Sequence, residues 1–136
     1  MASWGLARLP RALDPHEVAA ACKLRPADHV GRRDFAVLLV LARLGLRAGE
    51  VAALRLEDID WRKGELLVRG KGPKQERLPL PTDVGEAIAG SLRRVGRPRF
   101  DAREVFTRVR APHQRLSSGG ITGIVYAACG RAGIPP

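Results

Sequence analysis

A chain of 136 residues can bury one moderate hydrophobic core, and its length asks for no second domain. Its 24 Lys and Arg against 14 Asp and Glu leave a formal charge of +10, which suits a polyanionic partner, although only four of the basic residues are lysine and an Arg, Ala, Gly and Pro surplus also follows coding-DNA composition. Cys22 and Cys129 lie far apart, His16, His29 and His113 are scattered, and neither a signal peptide nor a run of 18 apolar residues is present; this argues against a disulfide framework, a metal site, secretion or a membrane span, and for the cytoplasm.

Residues 1–12 read as a linker, and order is expected from residue 13 onward as one domain, 13–136. Asp14 before Pro15, with Glu17 three residues on, predicts an N-cap, a proline at the first helical position and a capping-box partner, hence a short helix to about Lys23. From Arg32 to Leu44, Phe35, Leu38, Leu39, Leu41 and Ala42 recur at helical intervals, and Gly45 stands where a left-handed C-cap belongs. A second helix is expected from near Arg47 through Val51, Ala52 and Leu54, ending before an acidic turn, Glu57-Asp58-Ile59-Asp60, and Trp61.

Glu65 to Arg69 and Glu76 to Leu80 are two short strand-like runs separated by Gly70, Gly72 and Pro73, which predicts an antiparallel hairpin with Lys71 and Lys74 at its tip. Pro81 and Thr82 open a further helix with Val84, Ala87, Ile88 and Leu92 on one face, stopped by Gly96 and Pro98. Val105 and Phe106 suggest a brief strand. Ser117 or Ser118 caps a last helix carrying Ile121, Ile124, Val125, Ala128 and Cys129, ending at Gly130 or Gly133. The expected fold is α+β: mainly helical, with a small antiparallel sheet made of the hairpin and a short third strand.

Two segments carry the chemistry. Arg47, in Leu-Gly-Leu-Arg-Ala-Gly-Glu at 44–50, follows a helix C-cap and sits where the next helix begins, so unpaired backbone N–H groups and a planar guanidinium can face one phosphate. The plainer reading is an exposed arginine capping the corner; Glu50 fits both, as a cap and as the group that holds Arg47. Lys71, between Gly70 and Gly72, can close on a phosphate or donate a proton to a leaving oxygen, and equally can be one of many basic turns that keep a hairpin soluble.

The segment 44–50 followed by Leu-Arg-Leu-Glu-Asp-Ile-Asp-Trp resembles the first conserved box of the tyrosine recombinases, the phage-integrase family of DNA strand-transfer enzymes. Lys71, 24 residues beyond Arg47, lies in Gly-Lys-Gly-Pro-Lys-Gln-Glu-Arg-Leu-Pro-Leu, similar to that family's hairpin with its catalytic lysine. The resemblance covers the order of elements in the first half of the family's catalytic domain. It implies attack by a tyrosine on a DNA phosphodiester, a 3′-phosphotyrosyl link and a freed 5′-hydroxyl. Arg47 would stabilise charge on the non-bridging oxygens, Lys71 would protonate the leaving oxygen, and Glu50 would support the site. Lys74 and Arg77 are expected to touch DNA. Double-stranded DNA and other recombinase protomers are the implied partners, with no metal, no nucleotide cofactor and no membrane.

Two departures qualify the resemblance. Arg77 lies one residue further from Lys71 than in the common form of the hairpin, which leaves the second strand's register open. The family's His-x-x-Arg box and tyrosine nucleophile follow the helix that here ends near Gly133, and nothing after that helix supplies them; Tyr126, the single tyrosine, precedes that place and reads as a core or half-buried residue. The chain is therefore expected to be a truncated piece, inactive alone, with Ile124 and Val125 left exposed. A noncatalytic DNA-binding regulator on the same scaffold is the competing reading. A basic RNA-binding protein is a third, weakened by the scarcity of aromatic residues for stacking.

Overall fold

The computed structural model describes residues 29–70, 75–92, 103–108 and 115–133. The helix expected over 14–23, and Lys71 and Lys74, lie outside the described residues.

The first described helix, α1 (His29–Leu44), begins three residues before the expected start at Arg32. It is buried on more than a stripe: every residue from Ala36 to Leu41 is at most 5% exposed. The cause is position, because α1 packs against helices on different sides, and a helix covered all round loses the one-sided pattern of a surface helix. Its early turn buries a charged pair, with Arg33 Nε and Nη2 donating to Asp34 Oδ1 at 3.0 and 2.8 Å and Nη1 donating to the Thr107 carbonyl at 3.3 Å. Pairing and hydrogen bonding are what make burial of both charges tolerable.

Gly45 ends α1 with φ 65°, the left-handed conformation expected of it, and its N–H donates to the Leu41 carbonyl at 3.0 Å. Helix α2 (Ala48–Ala52) is shorter than expected. Leu54 lies beyond it, and its carbonyl accepts from Val105 N–H at 3.0 Å. A 3₁₀ turn (Leu56–Asp58) leads into β1 (Ile59–Asp60), followed by β2 (Glu65–Arg69) and β3 (Gln75–Pro79).

The sheet is antiparallel in the order β1-β2-β3, with Ile59 opposite Leu66 and Leu67 opposite Arg77. Its third strand is Ile59–Asp60, within the stretch the sequence suggested was a turn, because Asp58 folds inward and frees Ile59 to pair with Leu66. Val105 and Phe106 are each 1% exposed, and the segment around them makes isolated bridges, Arg55 with Glu104 and Thr107 with Arg115, instead of a strand of the sheet. The register also resolves the open question at Arg77: Arg69 pairs with Gln75, leaving 70–74 as the connection.

Leu66 and Val68 alternate inward along β2. Helix α3 (Thr82–Ser91) buries Val84, Ala87 and Ile88 and packs mainly on α1. Helix α4 (Ser118–Ala132) starts where Ser117 Oγ accepts from Gly120 N–H at 3.1 Å and ends at Gly133 with φ 70°. It packs on α2 and α1, so Ile124 (7% exposed) and Val125 (1%) are core residues, contrary to the expectation that they would be exposed. Tyr126 is 49% exposed and belongs to no core; it lies about 200° round the helix from Ile124. Among the described residues no helix is long and apolar enough to cross a membrane.

Candidate active site

Arg47 is the residue before α2, with extended backbone (φ −81°, ψ 154°), where the sequence placed it in the first helical turn. Since α2 has five residues, its dipole adds little to anion binding, and the guanidinium has to supply most of the attraction. The corner is held by its acid: Glu50 Oε1 accepts the Arg47 backbone N–H at 2.8 Å. This is the half of a capping box that a glutamate can make, reaching back from the third helical position. Arg47 is half-buried, and its chain neighbours Leu46 and Ala48 are buried.

The same carboxylate meets the hairpin. A methyl group built on Gly70 would lie 3.6 Å from Glu50 Oε2, so the end of β2 rests against the acid that caps Arg47. The structure thus brings together the Arg47 segment and the residue preceding Lys71, two stretches that are separate in sequence. At 3.6 Å an added Cβ would be in ordinary contact, so this approach does not itself require glycine.

Arg77 makes a different contact. It is 64% exposed, opposite Leu67 in the sheet, with a loose ion pair to Glu65 at 3.9 Å. A contact of that length between exposed side chains leaves the guanidinium available to solvent or a polyanion.

A second acid was not singled out from sequence. The Asp58 side chain is 1% exposed, and its carboxylate takes three contacts from Arg69: Nη2 to Oδ1 at 2.8 Å, Nε to Oδ1 at 3.2 Å and Nε to Oδ2 at 3.4 Å. Oδ2 also accepts the Arg55 backbone N–H at 3.0 Å. The hydrogen bonds to Asp58, and after them its charge, hold the Arg69 guanidinium above its already high ordinary value, so this partner stays cationic throughout the working range. The available signal was the spacing Arg55-x-x-Asp58, which repeats Arg47-x-x-Glu50. Among the described residues no group of three or more His, Cys, Asp or Glu side chains is arranged to hold a metal ion.

A model described as the phage integrase family matches residues 11–136. The chain belongs to that family. It is 46% identical over 136 residues to an integrase/recombinase homologue of Sinorhizobium fredii, covering 98% of this chain and 33% of that protein. Against the tyrosine recombinase XerA of Pyrococcus furiosus the identity is 39% over 87 residues, covering 63% of this chain and 30% of the relative. In fold it is similar to the XerH site-specific recombinase solved bound to its difH substrate, with a TM-score of 0.73 at 18% identity over 95% of this chain and 38% of that one. The chain therefore spans about a third of the length of these proteins.

Proposed function

We propose that the chain contributes to site-specific DNA recombination by a tyrosine recombinase, as the part of the catalytic domain that grips the scissile phosphodiester. Arg47 stabilises negative charge on the non-bridging oxygens, Lys71 protonates the leaving 5′ oxygen, and Glu50 braces Arg47; Lys74 and Arg77 contact flanking DNA. The observation that carries this reading is the shared Glu50 carboxylate, which accepts from Arg47 N–H and lies against Gly70. The net charge of +10 supports a duplex partner. The domain comprises residues 13–136 after a linker-like start, works with other protomers in the cytoplasm, and uses no metal or nucleotide cofactor.

On this reading the nucleophile and the His-x-x-Arg box are supplied from outside these residues, so the chain alone does not cleave. Incubation with a nicked suicide substrate is expected to yield no covalent protein–DNA adduct; a trapped adduct would overturn that part of the proposal. The phosphate grip is tested by duplex binding across a salt series. Arg47→Ala and Lys71→Ala should each lower the slope of log affinity against log salt by about 0.9 without changing sequence preference. Unchanged affinity at every salt concentration for both variants would refute the grip and favour a noncatalytic DNA-binding role.

A further inference from the structure

We propose that Asp58 and Arg69 are a positioning pair that sets the Arg47 corner against the end of β2. The inference rests on the reading of Arg47 as a phosphate-binding residue and deepens it. Three contacts and one peptide link join the two segments in a continuous path. Arg47 N–H reaches Glu50 Oε1 at 2.8 Å, Glu50 Oε2 faces Gly70, Gly70 follows Arg69, and Arg69 grips Asp58 at 2.8 Å. Asp58 closes the path by accepting Arg55 N–H at 3.0 Å, just past the end of α2.

A mere surface ion pair would not look like this. Asp58 is almost wholly enclosed, and both of its oxygens are engaged, one by the guanidinium and one chiefly by the backbone. The two-pronged contact fixes the direction of the Arg69 side chain as well as its distance, which a lysine could not do. Gly70 offers no side chain of its own to hold the strand end in place. The height of Gly70 beside Glu50 is therefore set by its neighbour Arg69, and a shift there moves the carboxylate that holds Arg47.

The test uses this chain with a duplex DNA and four forms: parent, Arg47→Ala, the paired neutral variant D58N/R69Q, and all three substitutions together. The neutral pair removes both charges together and so avoids stranding a buried one; far-UV circular dichroism checks the fold. Duplex affinity of D58N/R69Q should fall roughly 2- to 30-fold, and Arg47→Ala should cost less in that background than in the parent. In nitrogen–proton correlation spectra the Arg47 Nε–Hε and Gly70 amide resonances should move while the Val37 and Ile88 amides, in the α1–α3 packing, stay in place. A purely structural pair would shift all four or none. Strictly multiplicative losses, or unmoved Arg47 and Gly70 resonances, overturn the positioning role. If Arg47→Ala by itself leaves affinity intact, the inference falls together with the phosphate-binding role of Arg47, and that single arm distinguishes the two failures.

Discussion

Glu50→Ala separates geometry from charge. The substitution removes the acceptor of the Arg47 N–H, a half-buried hydrogen bond of 2.8 Å at a helix start. Losing a capping acceptor costs about 0.5–2 kcal/mol, and a bond to a charged group about 1.5–3 kcal/mol, so the overlap of the two ranges, about 1.5–2 kcal/mol, is the expected destabilisation. For a domain of this size that corresponds to a fall of roughly 3–15 °C in Tm. Glu50→Gln retains an oxygen acceptor and should lose about half as much or less. The duplex-binding effect is the sharper one, because two physical effects predict opposite signs. Removing an acid raises the formal charge above +10, and long-range attraction alone would tighten binding to a polyanion. If Glu50 braces Arg47, Glu50→Ala binds duplex more weakly despite the added charge. Thermal circular dichroism and fluorescence anisotropy on the same samples measure both effects. A Tm equal to the parent's, or tighter binding by the alanine variant, would refute the bracing role.

Leu38, fully buried in α1, should cost about 2–5 kcal/mol when cut to alanine, read from urea unfolding; a loss below 1 kcal/mol would mean the α1 packing is looser than described. Arg77→Ala should change stability by no more than about 0.5 kcal/mol, since its ion pair is exposed and long, yet reduce the salt slope of duplex binding by up to about 0.9. A Tm drop with an unchanged slope would instead make Arg77 a strand-pairing residue. Tyr126→Phe should leave stability within about 0.5 kcal/mol and duplex affinity unaltered, as a half-exposed tyrosine outside the core would. A covalent adduct formed by the parent and lost in that variant would show that Tyr126 is a nucleophile after all.

Much of the architecture could be read because local signals agreed with tertiary demands. Gly45 and Gly133 adopt the left-handed caps their positions suggested, Ser117 caps α4, and Glu65–Arg69 is a strand with the expected bounds. The failures share a cause. Ile59–Asp60 looked like part of an acidic turn because the sequence does not show that the preceding Asp58 is buried against Arg69. Ile124 and Val125 were expected on the surface because the part of the domain that would cover their helix was taken to be missing; α2 and α1 cover them instead, a pairing that helix periodicity does not reveal. At the candidate site, Arg47, Lys71 and Glu50 could be singled out from the sequence, whereas the contact of Glu50 with Gly70 and that of Asp58 with Arg69 depend on how a strand end meets a distant turn.

That meeting follows from a repeated device. Arg47-x-x-Glu50 and Arg55-x-x-Asp58 lie eight residues apart, and in each the acid accepts the backbone N–H of the residue three before it, at 2.8 and 3.0 Å. A five-residue helix and a single 3₁₀ turn are too short to be stable by themselves, so these back-bonds matter more here than they would in a long helix. Each carboxylate then has a second use, and the two targets are neighbours: Glu50 lies against Gly70 and Asp58 grips Arg69. One strand end is thereby fixed to two successive turns, on either side of the Ala53–Leu54 junction. Misplacing either turn would strain the other through a single peptide bond. Such coupling makes the spacing between the two turns as important as the residues in them. An insertion between Ala53 and Leu54 would leave every side chain present and still separate the Arg47 corner from the hairpin.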